Sequence, residues 1–178
     1  TIKALLQIKF SEKNYLVTFH PITNEPKETL NQFNVLLNAL MSIQNSTIIF
    51  TYPNNDYGSD KIIKLIENFI KIKDNTYLFK SLGFVNYINL CTHLDAVIGN
   101  SSSFILEIPF LKIPSIIVGN RQKGRIMHKT VIPVKTDKKS IIKALTNIKT
   151  NRNKNKNIYE KSDTIKNIKK YIKIFFSN

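Results

Sequence analysis

The chain has 178 residues, 42% of them hydrophobic and 10% aromatic, and its formal net charge is +15. These values are typical of one compact globular domain. No apolar run reaches the roughly 18 residues of a membrane-spanning helix and no secretory signal is visible, so we expect a cytoplasmic protein without a membrane partner. The single cysteine, Cys91, cannot form an internal disulfide, and its apolar surroundings predict a buried, inert thiol.

The positive charge is concentrated in the last quarter of the chain. From residue 135 to residue 178 there are 13 Lys and Arg against 3 Asp and Glu, a balance of +10, whereas the preceding residues carry 14 against 9. A solvated lysine-rich surface accounts for this distribution, and we do not expect nucleic acid as a partner. A non-catalytic basic module that binds DNA or RNA in a salt-sensitive manner stays open as an alternative.

Short segments typical of strands alternate with longer segments of helical periodicity. Up to six strands are predicted, at residues 15–19, 47–51, 76–79, 95–98, 114–118 and 131–134. Helices are predicted from Pro26 and from Ser59, and over residues 84–93, 104–110 and 138–148. The alternation indicates an α/β fold over residues 1–150, a Rossmann-like parallel sheet with helices on both faces.

The last part of the chain has a different pattern. Residues 150–157 are polar and charged and are predicted to form a linker, while apolar residues return at helical spacing afterwards. We therefore predict that residues 151–178 form a basic linker and a C-terminal helix.

Candidate site residues follow the predicted strands, because ligands of open α/β sheets bind beyond the carboxyl ends of the strands. Four loops with polar residues fall there: His20-Pro21 and residues 54–59, 99–103 and 119–125. Several such loops at one edge of a sheet favour a site for a phosphate or a sugar.

The segment from Asp95 to Pro109 has the strongest pattern, because three serines follow a strand and precede a predicted helix. A helix N-terminus presents free N–H groups and a partial positive charge, which suit a phosphate. The carboxylate of Glu107, about one turn later, could accept two hydrogen bonds from the cis-diol of a ribose. From the residues alone, an ordinary serine N-cap with a surface glutamate is an equally open interpretation.

Five segments together resemble the successive motifs of one enzyme family, the hydrolysing UDP-N-acetylglucosamine 2-epimerases. They are VTFHP at 17–21, YPNNDYGSD at 52–60, DAVIGNSSS at 95–103, LEIPFLKIPSI at 106–116 and GNRQKGR at 119–125. They most resemble the branch that supplies N-acetylmannosamine for sialic acid. The resemblance covers residues 15–148 and only the second of the family's two Rossmann-like domains, the C-terminal half of a two-domain GT-B-type fold.

The resemblance implies a role in turnover for His20, close to the diphosphate. It implies UDP or substrate binding for six further residues: Ser101 and Ser102 at the phosphates, Glu107 at the ribose hydroxyls, Tyr87 against the uracil, and Asn54 and Arg121 in the nucleotide pocket. It implies no cofactor and no metal. The chain departs from the family at Phe104, usually Gly, which is either tolerated or narrows the phosphate site, and at Asp60, which is basic in some relatives.

The implied reaction is an elimination of UDP followed by hydration, which yields N-acetylmannosamine. In the family the acid–base carboxylates belong to the N-terminal domain, so we expect this chain alone to bind UDP weakly without turnover. Implied partners are UDP, UDP-N-acetylhexosamine, the missing N-terminal domain and further copies in a full-length homo-oligomer. The C-terminal helix would pack on this domain or on the missing one. The nucleotide-binding half of a GT-B glycosyltransferase stays open as an alternative.

Overall fold

The computed structural model describes residues 2–148 and 163–176, so the predicted linker at 150–157 lies outside the described residues. The described residues form six strands, each within one or two residues of its predicted position. The strands in chain order are β1 Lys13–Thr18, β2 Ser46–Thr51, β3 Thr76–Phe79, β4 Ala96–Gly99, β5 Ser115–Val118 and β6 Val131–Val134.

Helices connect most of the strands, as the periodicity predicted. In chain order they are α1 Ile2–Leu5, α2 Pro26–Met41, α3 Ser59–Ile72, α4 Gly83–Cys91, α5 Ser103–Leu106, α6 Lys138–Thr146 and α7 Thr164–Phe176. The prediction missed the single-turn helix α1. It also made the helix after the serines too long, because α5 has one turn and a 3-10 turn at Ile108–Leu111 replaces its continuation. Pro109 explains this, since it lacks an N–H and its ring clashes with the carbonyl four residues earlier.

The sheet is entirely parallel, with the strand order β3-β2-β1-β4-β5-β6. This is the order of the Rossmann fold, in which the direction of strand addition reverses between β1 and β4. The two strands pair in register from Tyr15 opposite Ala96 to Thr18 opposite Gly99. Their carboxyl ends are therefore adjacent, and the loops after them diverge around one crevice.

The core lies on both faces of the sheet, which confirms the predicted three-layer arrangement. Side chains of β1 alternate between the two sides, since Tyr15 and Val17 belong to one buried cluster and Leu16 to the other. Residues of α2, α3 and α6 complete the first cluster, and residues of α1, α4 and α5 complete the second. Cys91 is fully buried in the second cluster, which confirms the prediction of a buried thiol, and burial raises the pKa of this thiol to about 12.

Helix α7 differs from the rest of the described chain because none of its residues is buried. Ile165, Tyr171, Phe175 and Phe176 are each more than two-thirds exposed. Within the described residues, no helix is long and apolar enough to cross a membrane. Whether α7 packs on this domain or on another one stays a prediction.

Candidate functional site

A cavity of about 330 Å³ opens at the carboxyl ends of the first four strands. Four predicted site residues line it, each from a different element: His20 after β1, Tyr87 on α4, Ser101 after β4 and Glu107 after α5. The sheet reverses its strand order at this edge, where open α/β sheets bind their ligands. The structure thus brings together residues that are up to 87 positions apart in sequence.

Asn100 connects the loops after β1 and β4. Its side chain is fully buried, and its Oδ1 accepts a hydrogen bond from the His20 backbone N–H at 2.6 Å. Its Nδ2 donates to the His20 carbonyl oxygen at 2.8 Å. This pair of bonds satisfies both backbone groups of His20 and holds its peptide at the switch point of the sheet.

Gly99 allows this close approach. Its φ is +142°, and a Cβ built there would lie 2.0 Å from the Thr18 carbonyl oxygen. A side chain at this position is therefore excluded by the backbone of the neighbouring strand. The absence of a side chain at Gly99 therefore allows the close approach of β4 to β1 that brings Asn100 to His20.

The His20 ring is held from the other side by the loop after β2. The Asn54 backbone N–H donates to Nδ1 of His20 at 3.0 Å, so Nδ1 carries no proton and Nε2 carries it in the neutral ring. Burial and, to a lesser extent, the Arg121 guanidinium lower the pKa of His20 from 6.5 to about 4, while Asp56 acts in the opposite direction. His20 is therefore a neutral imidazole at pH 7 that can donate a hydrogen bond through Nε2.

The loop after β5 also contacts Asn100. Arg121 donates from Nη1 to the Asn100 carbonyl oxygen at 3.2 Å, and the buried Gln122 donates from Nε2 to the same oxygen at 2.8 Å. Burial lowers the pKa of Arg121, while Asp56 raises it. The guanidinium remains a cation. Its hydrogen bond to Asn100 places this positive charge beside the residue that precedes Ser101.

Tyr87, Ser103 and Glu107 form a second group of contacts along the cavity wall. The Tyr87 hydroxyl lies 2.5 Å from Oγ of Ser103, and Ser103 donates to Oε2 of Glu107 at 2.8 Å. Burial raises the pKa of Tyr87, so its hydroxyl stays protonated at neutral pH. Glu107 itself is exposed, with its carboxylate at the mouth of the cavity.

The other three predicted residues lie beside the cavity rather than in its wall. Asn54 bonds to His20 through its backbone, and its side-chain Nδ2 donates to the Asp56 carboxylate. Arg121 meets the site through Asn100, and Ser102 precedes α5 as its N-cap residue. The Ser102 side chain makes no capping hydrogen bond. Because α5 has only one turn, the expected helix dipole behind the serines is largely missing.

Two departures from the family pattern prove to be structurally separate from the cavity. Phe104 is fully buried in the core cluster that contains Val97 and Ile117, and it is not among the residues that line the cavity. Its ring fills space against Gly99 instead. Asp60 is exposed in the first turn of α3. Of the two outcomes considered for Phe104, tolerance is the one the structure favours.

Sequence reasoning missed several residues at this edge. Asn100 and Gln122 were within motifs that the sequence singled out, but their contacts join positions 80 and 22 residues apart. Lys80 and Ser81 follow β3 directly and line the cavity, so the rule that sites lie after strands could have found them. Ser103 was read as part of a helix start rather than as the link between Tyr87 and Glu107.

Three buried acceptors at this edge have no hydrogen-bond partner within the described residues. They are Oδ1 of Asn54, next to His20, Oε1 of Gln122, next to Asn100, and Oε1 of Gln32, beside Gly119 after β5. Buried polar atoms usually have a partner, so these atoms leave hydrogen-bonding capacity unused at this edge of the sheet. Among residues 2–148 and 163–176, no cluster of three or more His, Cys, Asp or Glu could hold a metal ion.

The strand order and the cavity at its switch point define a Rossmann-like domain with a candidate ligand site. The sequence profile described as UDP-N-acetylglucosamine 2-epimerase matches residues 2–173. The chain therefore belongs to the UDP-N-acetylglucosamine 2-epimerase family, and the predicted family is confirmed.

The chain is similar to two curated relatives with different names. GDP/UDP-N,N'-diacetylbacillosamine 2-epimerase (hydrolyzing) from Campylobacter jejuni is 37% identical, over 74% of this chain and 34% of the relative. UDP-N-acetylglucosamine 2-epimerase from Neisseria meningitidis is 33% identical, over 75% of this chain and 35% of the relative. The chain thus spans about one third of the length of the curated relatives that it matches.

Solved structures confirm the fold class. The crystal structure of UDP-GlcNAc 2-epimerase from Methanocaldococcus jannaschii, in complex with UDP-GlcNAc and UDP, matches with a TM-score of 0.72 at 17% identity. The match covers 97% of this chain and 48% of that one. The chain has the fold of one half of a two-domain GT-B-type protein.

Proposed function

We propose that this chain is the UDP-binding half of a hydrolysing UDP-N-acetylglucosamine 2-epimerase that forms N-acetylmannosamine for sialic acid. The observation that carries the proposal is the cavity at the switch point, where His20, Ser101, Tyr87 and Glu107 line one space. These residues offer hydroxyl donors, a neutral imidazole, an aromatic ring and a carboxylate. That set matches the diphosphate, the base and the ribose of a nucleotide sugar.

The phosphate end of the ligand lies, in this proposal, beside the loops after β1, β4 and β5. Ser101 and Ser102 donate hydroxyl hydrogen bonds to the phosphates, and Arg121 supplies the positive charge that a guanidinium provides well for phosphate. Asn54 borders the same space beside His20. Because Asn100 joins two of these loops, the donors are held in place before the ligand arrives.

His20 acts in this scheme as a neutral hydrogen-bond donor to the diphosphate. Because its pKa is lowered to about 4, mainly by burial, the His20 ring is neutral at pH 7. The Asn54 backbone holds Nδ1, which leaves the proton on Nε2. A preorganised neutral donor stabilises the charge that develops on the departing UDP without a proton transfer.

The remaining chemistry needs residues from elsewhere. The reaction removes the proton from carbon 2 of the sugar while the C1–O bond to UDP breaks, and water then adds with inversion at carbon 2. The carboxylates for these proton transfers belong to the N-terminal domain in this proposal. Residues 1–150 form the nucleotide-binding domain in this proposal, and the C-terminal helix α7 packs either on this domain or on the missing N-terminal domain. The isolated chain therefore binds UDP weakly and does not turn over UDP-N-acetylhexosamine.

Calorimetric titration of UDP at near-physiological salt tests the binding step. We expect saturable one-to-one binding that Glu107→Ala and Ser102→Ala weaken. GDP serves as the comparison nucleotide, because the Campylobacter jejuni relative carries both nucleotides in its name. No binding at millimolar UDP by a chain with the circular dichroism of a folded α/β domain would contradict the proposal.

The two alternatives predict other outcomes. A glycosyltransferase half would support transfer of the sugar to an acceptor once its other domain is present, rather than release of N-acetylmannosamine. A basic nucleic-acid module would bind DNA or RNA with strong salt dependence and would not bind UDP. Release of N-acetylmannosamine by this chain alone, measured in a coupled assay, would contradict the expected division of labour between the domains.

A further inference from the structure

The Tyr87 hydroxyl and Glu107 are joined through Ser103. Tyr87 is on α4, and the other two residues are one helical turn apart at the two ends of α5. The two contacts measure 2.5 Å between the Tyr87 and Ser103 oxygens and 2.8 Å between Ser103 Oγ and Glu107 Oε2. All three side chains line the same cavity wall.

The direction of these hydrogen bonds follows from the available protons. A glutamate carboxylate can only accept, so Ser103 donates its single hydroxyl proton to Glu107. The Ser103 oxygen then has lone pairs but no second proton, so the Tyr87 hydroxyl must donate to it. The chain of donation runs from Tyr87 through Ser103 to Glu107, and each bond polarises the next.

The consequence is a fixed orientation for an exposed carboxylate. An exposed glutamate side chain normally samples several rotamers, and ordering it on binding costs free energy. Here one oxygen, Oε2, is anchored by Ser103 while keeping a free lone pair, and the other oxygen has no hydrogen bond within the described residues. Two adjacent hydroxyls can be held by such a carboxylate without prior reorganisation.

We propose that Tyr87 and Ser103 are positioning residues that orient Glu107 toward the two hydroxyls of a ribose, so that the site discriminates ribonucleotides from 2′-deoxyribonucleotides. The inference rests on the proposed function, because it assigns the ribose of UDP to Glu107. It adds a role for the Tyr87 hydroxyl that is separate from any stacking of its ring on the base. The two roles can be separated experimentally, since phenylalanine keeps the ring and loses the hydroxyl.

The experiment is a set of calorimetric titrations of UDP and 2′-deoxy-UDP into the wild-type chain and three variants, Tyr87→Phe, Ser103→Ala and Glu107→Ala. The wild-type chain is expected to bind UDP about tenfold more tightly than 2′-deoxy-UDP, which corresponds to one hydrogen bond to a charged group. Glu107→Ala abolishes this preference. Tyr87→Phe and Ser103→Ala each weaken UDP binding about fivefold and 2′-deoxy-UDP binding by less, so that the ratio of the two affinities falls toward that of Glu107→Ala.

Tyr77→Phe is the matched control. It removes a tyrosine hydroxyl that is also hydrogen-bonded, to Asn75 and to the Lys9 backbone, but at the opposite edge of the sheet. This variant should keep the wild-type ratio of affinities for UDP and 2′-deoxy-UDP.

The outcomes distinguish this inference from the proposed function. If the wild-type chain binds UDP and Glu107→Ala loses the preference, but Tyr87→Phe and Ser103→Ala keep the wild-type ratio, the positioning role is wrong and the proposed function stands. Equal weakening of both nucleotides by Tyr87→Phe would also overturn it, because that result indicates a general loss of binding. If the wild-type chain binds neither nucleotide, the proposed function fails and this inference fails with it.

Discussion

Two buried asparagines make the same contact at opposite edges of the sheet. At the amino edge, Asn14 accepts a hydrogen bond from the Ser11 backbone N–H and donates one to its carbonyl oxygen, both at 3.0 Å. At the carboxyl edge, Asn100 makes the equivalent pair of bonds to His20 at 2.6 and 2.8 Å. The first pair spans three residues and the second spans 80.

The surroundings of the two asparagines differ more than the contacts do. Around Asn14 the polar groups satisfy one another, because Asn75 donates to Ser11 and Thr47, and Tyr77 donates to Asn75. Around Asn100 the acceptors Asn54 Oδ1 and Gln122 Oε1 have no partner within the described residues. His20, whose backbone is bonded to Asn100, lines a cavity. A cavity of about 360 Å³ also lies beside Ser11 and Asn75, so the unpaired acceptors next to Asn100, and not the presence of a cavity, distinguish the two surroundings.

The largest expected effect is at the junction of β1 and β4. Gly99→Ala should lower the free energy of unfolding by at least about 4 kcal/mol, because its Cβ would overlap the Thr18 carbonyl and its φ of +142° suits glycine. Urea denaturation measures the loss. Gly124→Ala is the control, since its φ is also positive, at +84°, but nothing lies within 4 Å of the added Cβ. Similar losses in the two variants would show that close approach is not what Gly99 provides.

A pair of substitutions tests whether Asn14 and Asn100 differ in their effect on UDP binding. Asn100→Ala should lower the free energy of unfolding by about 2–3 kcal/mol, because it leaves the backbone N–H and C=O of His20 without their partner. Asn14→Ala should cost less, about 1–2 kcal/mol, because the Ser11 N–H keeps its hydrogen bond to Thr47 Oγ1 and only the Ser11 C=O loses its partner. Only Asn100→Ala should also weaken UDP binding, since only it releases His20. Denaturation and UDP titration on the same samples check this. A loss of UDP affinity in Asn14→Ala would remove the distinction between the two edges.

The free energy of unfolding should also depend on pH through His20, at the carboxyl edge of the sheet. The pKa of His20 is about 4 in the folded chain, below its ordinary value of 6.5. Between these two pH values, the histidine is protonated in the unfolded chain and neutral in the folded chain. Stability from neutral His20 is therefore complete above pH 6.5 and is lost toward pH 4. Between pH 7 and pH 5 the wild-type chain should lose about 1–2 kcal/mol more than His20→Gln.

Unfolding curves of both chains at the two pH values measure this difference, in which the carboxylates common to both chains cancel. His93→Gln, with its histidine at the amino edge of β4, controls for the removal of a histidine. Identical pH dependence in the wild-type chain and His20→Gln would mean that His20 is not held neutral by its surroundings.

The smallest expected effect on stability is at Glu107, where a substitution should weaken UDP binding and leave the free energy of unfolding nearly unchanged. Glu107→Ala should weaken UDP binding about tenfold, because the ribose hydroxyls lose a charged acceptor. It should leave the free energy of unfolding within about 0.5 kcal/mol, since Glu107 is exposed. Glu12→Ala, an exposed glutamate just before β1, is the control for removing a surface charge. Equal UDP affinities in the two variants would place the nucleotide elsewhere.

The candidate site was only partly predictable from the sequence. Four of the seven predicted residues line the cavity, because the positions after strands are readable from apolar periodicity and the carboxyl ends of parallel strands share an edge. The roles of Asn100 and Ser103 were not predicted. Their contacts depend on side-chain orientation within loops, and no periodicity encodes that orientation.

The sequence by itself determined the class of fold, the positions of the six strands and the order of the loops that reach the site. Short-range chemistry suffices for these features, because β-branched runs, helical spacing and turn residues act within about ten residues of one another. Only the tertiary structure decided that Asn100 holds His20, that Phe104 turns into the core, and that α5 stops after one turn before Pro109. These outcomes depend on the space left by neighbouring elements, since a buried side chain takes the orientation that both fills its volume and satisfies its polar neighbours.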